Sequence, residues 1–265
     1  MRVGPLLATL RRDFLTTASY RVAFVLDLVL GMLSVVIYYF IGKTFEGASA
    51  QALGGAPDYF SFAAVGAIIT LVAQAASTGI TRKLREEQLT GTLEALTTQP
   101  ISPGEISLGM AGFPFAFATV RSLLYLLVAA AFLGLELGDA SWPGFLVMVL
   151  LTGMTLSIIG ILVGALVLVI NRGDVLAPII TLALGLLGGS VFPIEVLPDW
   201  AEVIGRITPT RFVFDGVRES LFLGSGWGGD ALVLVAYSVL GLPAAVWLFS
   251  LALRASKVRG TLGQY

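Results

Sequence analysis

The chain is predicted to be an all-α polytopic membrane protein, and three observations predict it. Of its 265 residues, 57% are hydrophobic and 12% charged, whereas soluble domains carry about 25% charged residues. The mean hydropathy of +0.92 exceeds what one globular core could bury, so the solvent is lipid. Six apolar stretches are each long enough to cross a bilayer, which takes ~20 residues.

The elements follow in order. Val3, Leu6, Leu7, Leu10 and Phe14 fall at helical spacing, with Arg2, Arg11, Arg12 and Asp13 off the stripe. That pattern predicts an N-terminal helix lying in the membrane interface. The six spans are placed at 22–41, 58–80, 106–133, 143–170, 175–192 and 230–253. The fifth is short and contains Pro178, so a kink or an incomplete crossing is open there. No soluble domain interrupts the spans, and 1–265 reads as one transmembrane domain. Gly160 with Gly164, and Gly185 with Gly189, have the spacing of close helix packing.

Orientation comes from Lys and Arg. With the N-terminus in the cytoplasm, that side holds Arg2, Arg11, Arg12, Arg21, Arg82, Lys83, Arg85, Arg172, Arg254, Lys257 and Arg259. The other side holds Lys43, Arg206, Arg211 and Arg218, and Arg121 falls within a span. The excess of positive charge predicts cytoplasmic termini, in agreement with an even number of spans.

Several chemistries are excluded. The chain has neither Cys nor His, which removes Cys nucleophiles, disulfides, His general bases and the usual zinc ligands. No GxxxxGK[ST] string is present to cradle nucleotide phosphates, so no cofactor is expected on this chain. The charge of −1 carries no basic patch for nucleic acid. No small-residue cleavage site follows a short apolar core, so no removable signal peptide is expected.

Between the second and third spans lies a polar island, Arg82–Pro103, RKLREEQLTGTLEALTTQPISP. Leu89, Leu93 and Leu96 form one apolar stripe at helical spacing, ringed by Arg82, Lys83, Arg85, Glu86, Glu87 and Glu94. Gly91 costs this helix about 1 kcal/mol relative to Ala, which points to a kink or a close backbone approach. Pro100 and Pro103 end the helix. Periodicity alone leaves open a partner-docking helix or a solvated connector.

The string EEQLTGTLEALTTQPIS, Glu86–Ser102, resembles the cytoplasmic loop of the ABC-2 transporter permease family. A second resemblance lies in the Pro-Trp…Pro…Arg pattern from Phe192 to Gly224, between the last two spans. The likeness covers essentially the whole chain. It implies a bacterial inner-membrane subunit that pairs with a second permease copy as a homodimer. It also implies two copies of a separate cytoplasmic ATPase, which would carry the ATP and Mg. The helix around Arg85–Leu96 would then be the coupling helix. Arg85, Glu86, Glu87, Leu89, Gly91, Thr92, Leu93 and Glu94 would make or shape the docking contact.

The segment 193–228 is expected to form short extracellular helices. One starts at Pro198 with Asp199 and Glu202 in its first turn, and Thr208-Pro209 breaks it. The second covers Arg211–Leu223, with Asp215 and Arg218 as a surface pair worth ~0.2–0.5 kcal/mol. Those helices either gate or cap the bundle. Asp27 and Arg121 are the charges inside spans, which makes them candidates for the substrate path. Counted from the ends of their spans at ~1.5 Å per residue, their depths differ by about 15 Å, so the two are not expected to pair.

The sequence thus favours the transport subunit of an exporter of amphipathic cargo: a lipid, a lipid-linked glycan or a hydrophobic drug-like compound. The alternatives are an ion-coupled secondary transporter and a non-transporting anchor for a cytoplasmic partner.

Overall fold

The computed structural model describes residues 21–44, 53, 55–92, 103–170 and 176–259. Its helices are α1 (Arg21–Thr44), α2 (Tyr59–Leu89), α3 (Pro103–Phe132), α4 (Trp142–Ile170), α5 (Leu176–Leu187), α6 (Asp199–Ile207), α7 (Pro209–Arg218) and α8 (Gly228–Arg259). A 3₁₀ turn, Ile194–Val196, precedes α6, and a π turn, Glu219–Leu223, follows α7. No strand occurs among the described residues. Among the described residues four helices are long and apolar enough to cross a membrane: α2, α3, α4 and α8. Leu28–Thr44 and Leu176–Leu187 are shorter apolar helices. The predicted N-terminal helix lies outside the described residues.

The long helices run between two ends. The basic end carries Arg82, Lys83, Arg85 and Arg254, and the loop end carries α6, α7 and the π turn. α2 is the central helix, with 72% of its apolar window buried against 22% for α8. α4 packs on both α2 and α8, and α3 packs on α2. Ile68, Ile69, Phe145, Met148, Phe214 and Val217 meet in the main core.

Absent side chains make the closest of these contacts. A Cβ on Gly160 of α4 would lie 2.5 Å from the Ser77 carbonyl oxygen of α2. One on Gly79 of α2 would lie 2.9 Å from Pro114 of α3. The Phe115 ring occupies the space a side chain at Gly153 would need. Lipid tails are as apolar as Leu, so helices associate in a bilayer through such close packing and interhelical hydrogen bonds. Ser77 Oγ pairs with Thr181 Oγ1 of α5 at 2.6 Å, and Thr155 Oγ1 with Ser238 Oγ of α8 at 3.0 Å.

Two expectations are corrected here. The stretch 175–192 does not continue as one helix. As described, α5 has 12 residues, about 18 Å against a hydrocarbon core of ~30 Å. Pro178 is not what stops it, because the helix continues past it to Leu187. The helix is ended by a Schellman motif. Gly189 takes φ +82°, Ser190 N donates to Gly185 O at 3.0 Å, and Gly189 N donates to Leu186 O at 3.2 Å. Gly185 and Gly189 therefore do not form a packing pair on one helix face.

The second correction concerns the island. Arg82–Leu89 is not a separate helix but the continuation of α2, a single helix of 31 residues. The chain turns at Thr90–Gly91, where Gly91 adopts φ +70°. No atom of the described residues lies near the space its side chain would fill, and the positive φ is the conformation that calls for glycine here.

Gly160 and Gly164 make opposite predictions. Gly160→Ala drives a Cβ into α2 backbone and should cost about 1–3 kcal/mol. Gly164→Ala meets Ile80 at an ordinary 3.5 Å and should be near neutral. Thermal unfolding of the purified variants in detergent checks both.

Candidate functional site

At the basic end, α2 carries a polar face into a region of apolar helices. Two grooves flank it. One, of about 410 Å³, lies between α2 and α3 and is lined by Gln74, Thr78, Arg82, Lys83, Glu86, Phe113, Phe117 and Arg121, among others. The other, of about 290 Å³, is lined by Thr78, Thr81, Arg82, Arg85, Glu86, Leu89 and Pro178 of α5. Phe113 and Phe117 stack at 5.9 Å, and the Arg121 guanidinium lies 5.8 Å from the Phe117 ring and 5.9 Å from that of Tyr125.

Arg121 is therefore part of the groove wall, as a substrate-path residue would have to be. The depth comparison with Asp27 fails, however. The Tyr125 hydroxyl donates to Leu28 O at 3.0 Å, which sets that part of α1 beside Tyr125, one helical turn from Arg121. The backbone of Asp27 is thus close to the level of Arg121, not about 15 Å away. The side chain of Asp27 lies outside the described residues.

Of the candidate docking residues, Arg85, Glu86, Glu87 and Leu89 occupy the last two turns of α2. Leu89 is 61% exposed, an apolar side chain at the helix end with little of its own chain over it. Lys83 pairs with Glu86 at 3.2 Å. Glu87 is buried, and its carboxylate accepts from the Thr92 hydroxyl across the Gly91 turn. Thr90 Oγ1 donates to Glu86 O at 2.8 Å, closing the helix end. Glu87 and Thr92 thus shape this end, while Glu86, Leu89 and Gly91 are exposed on it. Leu93, Glu94 and Leu96 lie outside the described residues.

The loop end holds a residue that sequence reasoning misassigned. Asp215 and Arg218 do not form a surface pair: Asp215 pairs instead with Arg211, at 3.3 Å. Arg218 is 1% exposed. Its guanidinium donates to Ser190 O at 2.8 Å and to Phe62 O of α2 at 3.2 Å, and it stacks 3.5 Å from the Phe62 ring centroid. One side chain of α7 thereby ties the turn after α5 to α2. A Cβ on Gly66 would overlap the Ser190 carbonyl, so that turn lies directly on α2 backbone. Tyr59 and Thr210 add bonds of 3.0 Å to Val191 O and 2.6 Å to Leu184 O.

Beside Arg218 is an acidic cavity of about 340 Å³. Its walls include Glu195, Arg211, Asp215, Glu219 and Asp230. Burial pushes the Asp215 carboxyl above its usual range, with Arg218 and Arg211 opposing the shift. Burial and Asp215 likewise raise Glu219. Burial pulls Arg218 down to about 9, which leaves it charged at neutral pH.

A carboxyl with a raised folded pKa binds its proton more tightly in the folded chain. The stability this contributes is fully present below the unfolded value, near 3.8 for Asp215, and is lost as pH rises through the folded value. The melting temperature should therefore fall from about pH 4 towards neutrality. Asp215→Asn should flatten that slope, which a melting series across pH measures.

Residues 6–222 match the ABC-2 type transporter family. The matched stretch includes α2, the island and the Arg218 tie. Nodulation protein J of Sinorhizobium fredii (strain NBRC 101917 / NGR234) is 25% identical over 246 residues, covering 89% of this chain and 88% of that protein. The apolar helices, the polar end of α2 and the match over most of the chain agree, and the chain belongs to the ABC-2 type transporter family as a multi-pass membrane subunit of an ABC transporter.

Proposed function

We propose that this chain is the membrane half of an exporter that moves an amphipathic substrate, a lipid, lipid-linked glycan or hydrophobic drug-like compound, with ATP hydrolysed by a separate subunit. In this reading the chain crosses the inner membrane six times, with the basic end and both termini in the cytoplasm. Two copies pair, and each receives one ATPase, which holds the ATP and Mg.

The observation that carries the reading is the course of α2. It runs unbroken from Tyr59 and Phe62, held at the loop end, to Glu86 and Leu89 at the basic end. A helix buried along its length moves as a unit, because close-packed interiors transmit displacement. A push at Glu86–Leu89 would therefore reach the loop end through the same helix. Arg85, Glu86, Glu87, Leu89, Gly91, Thr92, Leu93 and Glu94 form the ATPase-docking surface. The exposed Leu89 supplies an apolar anchor and the charges around it fix the register.

The groove wall of Gln74, Thr78, Arg82 and Arg121 supplies the polar side of a path for the substrate headgroup, beside the Phe113 and Phe117 rings. Asp27 belongs to the same path. Charges at such depth are costly unless they face a wet cavity or a partner.

The test is purification of the full-length chain in mild detergent together with its candidate ATPase. The wild type should retain the ATPase and stimulate its hydrolysis. Leu93→Asp with Glu94→Lys should lower retention at least tenfold while the melting temperature stays within about 2 °C. A variant that retains the ATPase and its stimulation in full would refute the docking surface. Transport that proceeds without the ATPase would favour ion coupling instead.

A further inference from the structure

We propose that Arg218 is a two-position latch. In the structure as it stands it fastens the Gly189–Ser190 turn to α2. Its second position is the acidic cavity alongside, which receives the guanidinium when that turn parts from α2. The proposal deepens the transport reading by naming the device that holds the loop end shut, and it rests on that reading for its role in the cycle.

Four observations carry it. The first is what Arg218 lacks. A buried guanidinium is costly to keep unless a countercharge and hydrogen bonds compensate it. Here the partners are two carbonyl oxygens and an aromatic face. No carboxylate forms an ion pair with Arg218 among the described residues, and its buried Nε has no hydrogen-bond partner. The bonds are enough to hold the charge but leave it incompletely satisfied.

The second is what lies next to it. Arg218 itself lines the 340 Å³ cavity, whose carboxylates come from separate elements: Glu195 from the 3₁₀ turn, Asp215 from α7, Glu219 from the π turn and Asp230 from the first turn of α8. Among the described residues only Asp215 is in an ion pair, with Arg211. The remaining carboxyls lack a cationic partner there, and an arriving guanidinium would supply one where water is scarce. The seat is complementary to the group its neighbour carries.

The third is the pivot. Arg218 is followed at once by the π turn, a geometry frequent at functional sites. Ser141 N donates to Ser220 O at 2.8 Å, which anchors the start of that turn to the approach to α4. On the other side Phe214 and Val217 lie in the core. The Arg218 backbone is therefore held on both sides, and the guanidinium changes seats by rotation of its own side chain.

The fourth is what the latch closes. Its two acceptors belong to α2 and to the turn after α5, and the Tyr59 hydroxyl of α2 adds a bond of 3.0 Å to Val191 O of the same turn. Gly66 allows the turn to lie flat on α2, so the seam is a contact of backbone against backbone. Once the guanidinium lets go, the Tyr59 bond is the described side-chain hydrogen bond left across it.

The chain has no cysteine, so a single introduced thiol reports without background. Ser190→Cys places it in the turn, on a residue 4% exposed whose carbonyl, not its side chain, accepts from Arg218. Ile161→Cys, at a fully buried position of α4, reports on the fold as a whole. The experiment follows N-ethylmaleimide labelling of each full-length purified chain in detergent.

Arg218→Gln should speed labelling of Ser190→Cys at least tenfold and leave Ile161→Cys slow. Glu219→Gln with Asp230→Asn, which removes two of the four carboxylates of the second seat, should slow labelling of Ser190→Cys at least threefold. Unchanged labelling in Arg218→Gln would overturn the latch, as would equal acceleration at both reporters, which marks loosening of the whole chain. A double variant of the cavity that labels faster or at the same rate would overturn the second position. Labelling needs no ATPase, so a failure here leaves the export reading standing, and loss of ATPase docking leaves the latch standing.

Discussion

The fold depends on how closely other backbones approach α2. At the loop end the turn after α5 lies on Gly66, near mid-helix α4 meets Ser77 through Gly160, and towards the basic end Pro114 of α3 packs on Gly79. At the first two places a missing side chain brings main chain against main chain, and at the third the proline ring fills the space beside Gly79. In a bilayer this is the main source of cohesion, because burying one apolar side chain against another gains little over burying it in lipid. The central helix is thereby held at several levels by rigid contacts. It can shift as a rod more readily than it can bend.

That constraint gives the polar residues their meaning. Small hydroxyl pairs such as Ser77–Thr181 and Thr155–Ser238 join helices where lipid offers no competing partner, each worth roughly 0.6 kcal/mol on average. The charged residues are placed at the ends of the same rod. Glu86 and Glu87 lie at its basic end, and Arg218 reaches its loop end from α7. A rod held in the middle and contacted by charge at both ends is suited to carry displacement from one face of the membrane to the other.

Much of this was legible in the sequence, for definable reasons. Hydropathy located the long helices because lipid exposure tolerates no other composition. Pro198 and Thr208-Pro209 marked α6 and α7 because proline has few places to sit. What escaped was geometry. Hydropathy ends where charge begins, but a helix does not, so α2 ran on through Arg82–Leu89. An apolar stretch also counts residues past a turn, and the Schellman motif at Gly189 stopped α5 before 192.

Arg218 was misread for a related reason. Asp215 and Arg218 stand three apart, and on a surface helix that spacing makes an ion pair. α7 is amphipathic, but the face carrying Val213, Phe214, Val217 and Arg218 is the buried one. The signal available was that arginine sharing a face with three apolar residues. Asp27 and Arg121 show the matching error along the membrane normal, since depth counted from the first apolar residue ignores where a neighbouring helix begins. The central claim is that α2 carries motion between the basic end and the Arg218 seam, and hydrogen exchange tests it most directly. Exchange of the amides in 188–197 would be compared in the free chain and in its complex with the ATP-loaded ATPase. The account predicts faster exchange in 188–197 on complex formation, with the middle of α4 unchanged. A stable complex in which those amides exchange at the same rate as in the free chain would contradict it.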